Sequence, residues 1–148
     1  VCLGNICRSL TAECVFRENA KISKLDIFCD SAGTASWHVG SFPYEPMQLA
    51  VKDRGFDISK LRARQIKIAD FNEFDLLVVM DQENRSNLQK LCPEQLDKVN
   101  FLTDYSLEDL EYDYVPDPYY TGNFNQTLNI IEASFNGLVE SVRNHNNK

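Results

Sequence analysis

The sequence predicts an α/β fold: one three-layer domain, residues 1–148, with a mostly parallel, twisted sheet of about four strands and helices on both faces. Three observations predict it. Short apolar runs alternate with stretches of helical spacing along most of the chain. The run Phe74-Asp75-Leu76-Leu77-Val78-Val79-Met80 is apolar on both faces of the strand it would form, as in a buried parallel strand. Near the C-terminus, Leu128, Ile131, Phe135, Leu138 and Val142 recur in steps of three and four, the stripe of a long amphipathic helix packed on a sheet.

The elements follow in order. Residues from Ser9 to about Lys24 read as a helix, with Leu10, Cys14 and Val15 on one face and charged residues on the other. Leu25-Asp26-Ile27-Phe28-Cys29-Asp30 reads as a strand that stops at the turn-rich Ser31-Ala32-Gly33-Thr34, and a loop runs on through Gly40 and Pro43. A second helix spans about Glu45 to Arg54, with Gly55 as its stop. Ala63–Ile66 is a short strand, Ile68–Glu73 a helical turn, and Phe74–Met80 the strongest strand signal. Asp81 caps a helix carrying Leu88, Leu91 and Cys92 that ends at Pro93, and Lys98–Leu102 is a further strand. Asp104 to Asp113 is acidic and irregular, Val115–Gly122 is a rigid aromatic loop, and the final helix follows. There is no internal repeat, low-complexity segment or linker.

Composition narrows the function classes. The net charge is −7 in 148 residues, which argues against a general nucleic-acid binder because phosphate backbones reward clustered Lys and Arg. No run of residues is long and apolar enough for a membrane span and no charged-then-apolar leader opens the sequence, so cytoplasmic residence is the default expectation, with secretion left open. The five cysteines form no CxxC and the two histidines, His38 and His145, are isolated, so neither structural zinc nor a disulfide framework is expected. Cys14 and Cys29 read as small core residues.

The chemistry concentrates at the front. Val1-Cys2-Leu3-Gly4-Asn5-Ile6-Cys7-Arg8-Ser9 places a cysteine and an arginine six positions apart across a glycine-containing loop that leads into a helix. Backbone N–H groups curling between Cys2 and Arg8, the Arg8 fork and the helix N-terminus suit a tetrahedral dianion, and the same groups stabilise a thiolate nucleophile at Cys2. Gly4 permits close backbone approach, Asn5 can tie the loop to itself, and the Ser9 hydroxyl can donate to the thiolate. In an open α/β sheet such a loop lies at the carboxyl ends of the strands, where ligands sit. A thiolate attacking a phosphate ester also needs an acid for the departing oxygen. Asp117, held between Pro116 and Pro118 and followed by Tyr119 and Tyr120, is the candidate.

Together with Asp30-Ser31-Ala32-Gly33-Thr34, Trp37-His38-Val39-Gly40, Ala63-Arg64-Gln65, Phe74-Asp75 through Met80-Asp81 with Asn84, and Asp117-Pro118-Tyr119-Tyr120, the opening loop makes the whole chain resemble the low-molecular-weight protein tyrosine phosphatases. The resemblance implies a metal-independent and cofactor-independent hydrolase of aryl phosphate monoesters and phosphotyrosine proteins, acting through a phosphocysteine intermediate. It implies Cys2 as nucleophile, Arg8 as phosphate clamp, and Asp117 as acid and then base. Leu3, Gly4, Asn5, Ile6, Cys7 and Ser9 would cradle the phosphate, and Leu3, Ile6, Trp37, Tyr119 and Tyr120 would wall the slot, with ordinary partial burial in a loop the other reading of Trp37. Asn5, Ser9 and Ser31 would brace the loop, Cys2 and Cys7 would form a reversible redox pair, and the protein would be a monomer.

The sequence departs from the family pattern at Leu10, where proline is usual and a small stability effect is expected, at Leu61, where some relatives carry a histidine of the bracing network, and at Tyr44-Glu45 after Pro43. The family's first strand precedes the loop, so apolar residues upstream of Val1 are expected in the native polypeptide, to cover an otherwise open core. Three rival readings are an arsenate reductase, a protein arginine phosphatase, and a non-catalytic phosphate-binding module. The first needs further cysteines as a relay, with only Cys92 available on a distal helix. The second typically carries threonine at the position of Ile6. Intact Cys2, Arg8 and Asp117 argue against the third.

Overall fold

Parallel backbone pairing in the middle of the molecule sets where everything else packs. The computed structural model describes residues 1–146. Helix α1 spans Arg8–Ile22, α2 spans Glu45–Asp53 and α3 spans Ile68–Glu73. Strand β1, Leu77–Val79, pairs in parallel with β2, Val99–Phe101, the register being Leu77 with Val99 and Val79 with Phe101. Between them run α4, Gln82–Leu91, and a 3₁₀ turn over Pro93–Lys98. A second 3₁₀ turn, Leu102–Tyr105, leads through the acidic loop to a short helix α5, Pro118–Thr121, and the long α6, Phe124–Asn146.

The three layers follow from the period-two alternation of β1. Leu77 and Val79 enter a cluster with Phe71 of α3 and Leu88 of α4. Val78 and Met80 face the opposite way, into a cluster with Val15 of α1 and Ile130, Ile131 and Leu138 of α6. A third cluster joins Met47 and Val51 of α2 to Ile6, Cys7 and Leu128. The α6 stripe read from the sequence is thus core, and α6 comes close enough to the Leu102–Tyr105 turn that only a glycine fits at position 137. A Cβ there would lie 1.8 Å from the Tyr105 carbonyl oxygen.

The sheet is smaller than the expected four strands. Beyond β1 and β2 the pairing among the described residues is two isolated parallel bridges, Cys2 with Gly33 and Gly33 with Gln65. The strand expected over Leu25–Asp30 is not formed, because a ladder needs a backbone neighbour and pairing beside it begins only at Cys2 and Gly33. An open trough of about 370 Å³ separates it from Leu76–Val78. The strand expected over Ala63–Ile66 is reduced to the Gln65 bridge, since Gly33 is its one ladder partner. Helices α1, α2 and α4 match their expected positions within two or three residues. The expected division of α1 into an apolar and a charged face is also corrected, because Glu13 is buried. Leu10, the residue standing where proline is usual, is fully buried.

Candidate active site

The opening loop is hung from the bridge to Gly33. Cys2 N donates to Ala32 O at 3.2 Å, Thr34 N donates to Cys2 O at 2.9 Å, and Ala35 N donates to Leu3 O at 2.9 Å. Val1 N adds a bond to Val78 O at 2.7 Å, which places the loop at the carboxyl end of the parallel pairing. Gly33 is required by close approach, for a Cβ there would stand 2.7 Å from Leu3 O. The loop then turns through Asn5, a non-glycine residue with φ of +56°, and α1 begins at Arg8 with Cys7 at its N-cap. That left-handed residue carries a conformational cost of about 1–2 kcal/mol, offset by what its side chain bonds.

Those bonds form a closed set behind the loop. Asn5 Nδ2 donates to Ser9 Oγ at 2.7 Å and to Ser31 Oγ at 3.0 Å, while Asn5 Oδ1 accepts from Arg64 N at 2.9 Å. Cys2 Sγ, itself almost fully buried, receives Asn5 N–H at 3.3 Å and lies 3.0 Å from Ser9 Oγ. Leu61 takes no part in this network. It packs half-buried against the α2 cluster, and Arg64 N fills the acceptor position on Asn5.

Arg8 is 2 % exposed and held by three acceptors. Its Nη1 bonds Asp81 Oδ2 at 2.6 Å and Val115 O at 3.0 Å, and its Nη2 bonds Asp117 Oδ2 at 3.2 Å. Burial works against the guanidinium charge, yet Cys2, Asp117 and Asp81 outweigh it and hold Arg8 protonated more firmly than an ordinary arginine. Burial also pushes the Cys7 thiol far above its usual range, with Cys2 and Asp117 adding to the effect. Asp117 does double duty: its Oδ1 caps α5 by accepting Tyr119 N at 3.1 Å while Oδ2 faces Arg8.

A narrow slot of about 40 Å³ opens here, lined by Cys2, Leu3, Gly4, Ile6, Cys7, Arg8, Trp37, His38, Asp117, Tyr119 and Tyr120. The sequence-predicted residues Cys2, Arg8 and Asp117 therefore meet in one place although Asp117 lies far along the chain. Leu3, Gly4, Ile6, Cys7, Trp37, Tyr119 and Tyr120 line the slot, with Trp37 70 % and Tyr120 72 % exposed at its mouth. Asn5, Ser9 and Ser31 stand behind the loop rather than on the slot wall, and Asn5 and Ser9 reach the site through Cys2 Sγ. Tyr44 backs Tyr119 edge-on, with ring centroids 5.1 Å apart, and stacks on Phe124 at 6.0 Å.

The full-length pattern now has a match. The family model of the low molecular weight phosphotyrosine protein phosphatases covers residues 1–148. The chain belongs to that family. The low molecular weight protein-tyrosine-phosphatase YfkJ of Bacillus subtilis is 38% identical over 146 residues, covering 97% of this chain and 93% of its own length. PtpA of Staphylococcus aureus is 34% identical over 143 residues, covering 96% of this chain and 90% of its own. Among solved structures, YfkJ superposes with a TM-score of 0.92 at 37% identity, over 97% of this chain and 92% of that one. A protein tyrosine phosphatase from Entamoeba histolytica, with Hepes in its active site, gives 0.91 at 33% identity, over 98% and 95%. Low molecular weight phosphatases are phosphoric monoester hydrolases, and this chain is an enzyme of that class.

Two residues lie in the quoted motifs without a role at the slot being assigned to them from the sequence. Asp81 reads as a helix cap, and it does cap α4 through Asn84 N at 2.8 Å, but its other oxygen orients Arg8. Its place directly beyond the strongest strand, at the carboxyl end of the sheet, is the signal that could have found it. His38 lines the slot beside Gly4, where a Cβ would come within 3.0 Å of its ring. The Trp37-His38-Val39-Gly40 motif is visible in the sequence, but the contact of His38 with Gly4 is not.

Proposed function

We propose that this phosphatase hydrolyses aryl phosphate monoesters, phosphotyrosine in proteins among them, through a phosphocysteine intermediate. The observation that carries the reading is the convergence of Cys2, Arg8 and Asp117 on one narrow, aromatic-mouthed slot. Cys2 Sγ attacks phosphorus in line while the P–O bond to the aryl leaving group breaks. Arg8, held edge-on by Asp81 and Val115 O, turns its Nη2 edge to the equatorial oxygens, so its contact to Asp117 gives way to the substrate. Asp117 delivers its proton to the departing phenolic oxygen. In the second half, the Asp117 carboxylate takes a proton from water as that water displaces Cys2, and Ser9 stabilises the departing thiolate. The charge on the transferring group is met by Arg8 and loop N–H groups, so no step asks for a metal. The Hepes in the active site of the Entamoeba relative is a sulfonate, an anion of the same tetrahedral shape. Ile6 and the paired tyrosines suit an aryl group over a guanidino phosphate.

Side-by-side turnover of phosphotyrosine, phosphoarginine and a simple aryl phosphate in excess chelator tests this. The expected result is chelator-resistant turnover of the two aryl substrates, little on phosphoarginine, and none in Cys2→Ser. Faster turnover of phosphoarginine than of phosphotyrosine sinks the assignment.

A further inference from the structure

Helix α1 buries one carboxylate that the mechanism above does not use. Glu13 is 5 % exposed and does not line the slot. Its Oε1 accepts the Ser31 hydroxyl at 2.6 Å, and its Oε2 pairs with Arg17 at 2.8 Å. A buried carboxylate kept at such a place needs compensation, and here it ends a continuous line of hydrogen bonds that starts at the nucleophile.

The direction of each bond in that line follows from an ionised Glu13 at one end and a Cys2 thiolate at the other. An ionised carboxylate only accepts, so Ser31 gives its proton to Glu13 and has lone pairs left to receive Asn5 Nδ2. The Asn5 amide cannot flip, because Arg64 N–H donates to its Oδ1. Its second Nδ2 hydrogen therefore goes to Ser9 Oγ, and because a Cys2 thiolate only accepts, Ser9 turns its own proton to Sγ, 3.0 Å away. The line runs Glu13, Ser31, Asn5, Ser9, Cys2, and its middle member is the left-handed residue on which the loop turns.

We propose that Glu13 is a positioning residue for the nucleophile: through Ser31 and Asn5 it fixes the hydrogen bond that Ser9 gives to the Cys2 thiolate. The charged and titratable groups around Glu13 are Arg17 on its own helix and Asp30 and Cys29 on the segment beside it. Burial lifts the Glu13 carboxyl above the ordinary range, and the Ser31 hydroxyl and Arg17 oppose that lift. The proposal rests on Cys2 being the nucleophile of the reaction above, but its test also reads the thiol directly.

The experiment compares Glu13→Ala, Glu13→Gln, Ser31→Ala and Arg17→Ala in the full chain. Three quantities are measured: the pH profile of Cys2 alkylation by iodoacetamide, followed by peptide mass; kcat and KM on an aryl phosphate; and the urea midpoint. Glu13→Ala and Ser31→Ala move the alkylation midpoint up by about one pH unit. They lower kcat about tenfold, as for the weakening of one charge-assisted hydrogen bond. Glu13→Gln keeps an oxygen for Ser31 and recovers most of both. Arg17→Ala removes the ion pair and the bond that Arg17 gives to Cys29 O, but leaves Ser31 its Glu13 acceptor, so both stay near the wild-type values. A purely structural Glu13 gives a lower urea midpoint with an unchanged alkylation profile and kcat, and that result overturns the proposal. So does an Arg17→Ala that behaves like Glu13→Ala. Should Glu13→Ala not fold, Ser31→Ala decides, since a wild-type profile in that variant breaks the line at its second link. A shifted alkylation profile in a chain that turns over no aryl phosphate keeps the relay and removes the phosphatase reading instead.

Discussion

Arg8 has three acceptors around it, but only Asp117 shares the slot with Cys2; Asp81 and Val115 O grip the other edge of the guanidinium. This division separates two roles that mutation can tell apart. In Asp117→Asn the fork stays in place and only the proton donor is lost, so kcat falls about 10²- to 10⁴-fold with KM little changed. In Asp81→Asn the acid remains but the 2.6 Å ion pair that aims the fork is weakened, so KM and the inhibition constant of inorganic phosphate rise together, by about tenfold. Steady-state kinetics with phosphate as product inhibitor checks both, and equal effects on kcat alone from the two variants would refute the split. Much of this was legible in the sequence, because Cys2, Arg8 and Asp117 sit in motifs whose local chemistry is visible in one dimension. Asp81 and Glu13 were not. A residue after a strand reads first as a cap, and a glutamate on a helix reads first as part of its wet face. Only the three-dimensional neighbourhood shows that Asp81 points at a buried arginine and Glu13 at Ser31.

At the scale of elements, legibility follows how each element is stabilised. Helices α1, α2, α4 and α6 declare themselves by spacing and caps, and their bonds are internal to the segment, so they were readable. Strands depend on a neighbour. Leu25–Asp30 has the composition of a strand and stays unpaired, whereas β1 finds β2 and forms. Contacts between elements are harder still to read, and Gly137 is the clearest instance. A glycine in the middle of an amphipathic helix looks like a weak point worth about 1 kcal/mol against alanine. In the fold it is where the α6 backbone meets the Tyr105 carbonyl, and any Cβ would overlap it at 1.8 Å. Gly137→Ala therefore reverses the propensity expectation. It should destabilise the protein by about 2 kcal/mol or more through displaced α6 packing, read as a lower urea midpoint at an unchanged slope. A gain in stability would mean that the Leu102–Tyr105 turn yields freely and does not anchor the helix.

The whole molecule is acidic, with a net charge of −7, yet its site is built for a dianion. The overall field opposes the ligand, so affinity has to come from the few groups within reach of the slot: Arg8, the loop amides and the start of α1. Anion binding to the native state then couples to folding. At a phosphate concentration one hundred times its dissociation constant the gain is about 2.7 kcal/mol. For a domain of this size that raises the melting temperature by about 5–10 °C. The proper reference is sodium chloride at the same ionic strength, because screening alone also relieves the self-repulsion of an acidic protein. Local binding predicts that phosphate exceeds chloride by the full amount in the wild type and in Asp117→Asn, which keeps the fork. In Arg8→Ala the difference disappears, even though that variant, with Asp81 and Asp117 left uncompensated, is less stable in both salts. If phosphate and chloride raise the wild-type melting temperature equally, the anion is being felt by the surface as a whole, and the slot is not the place where this chain holds it.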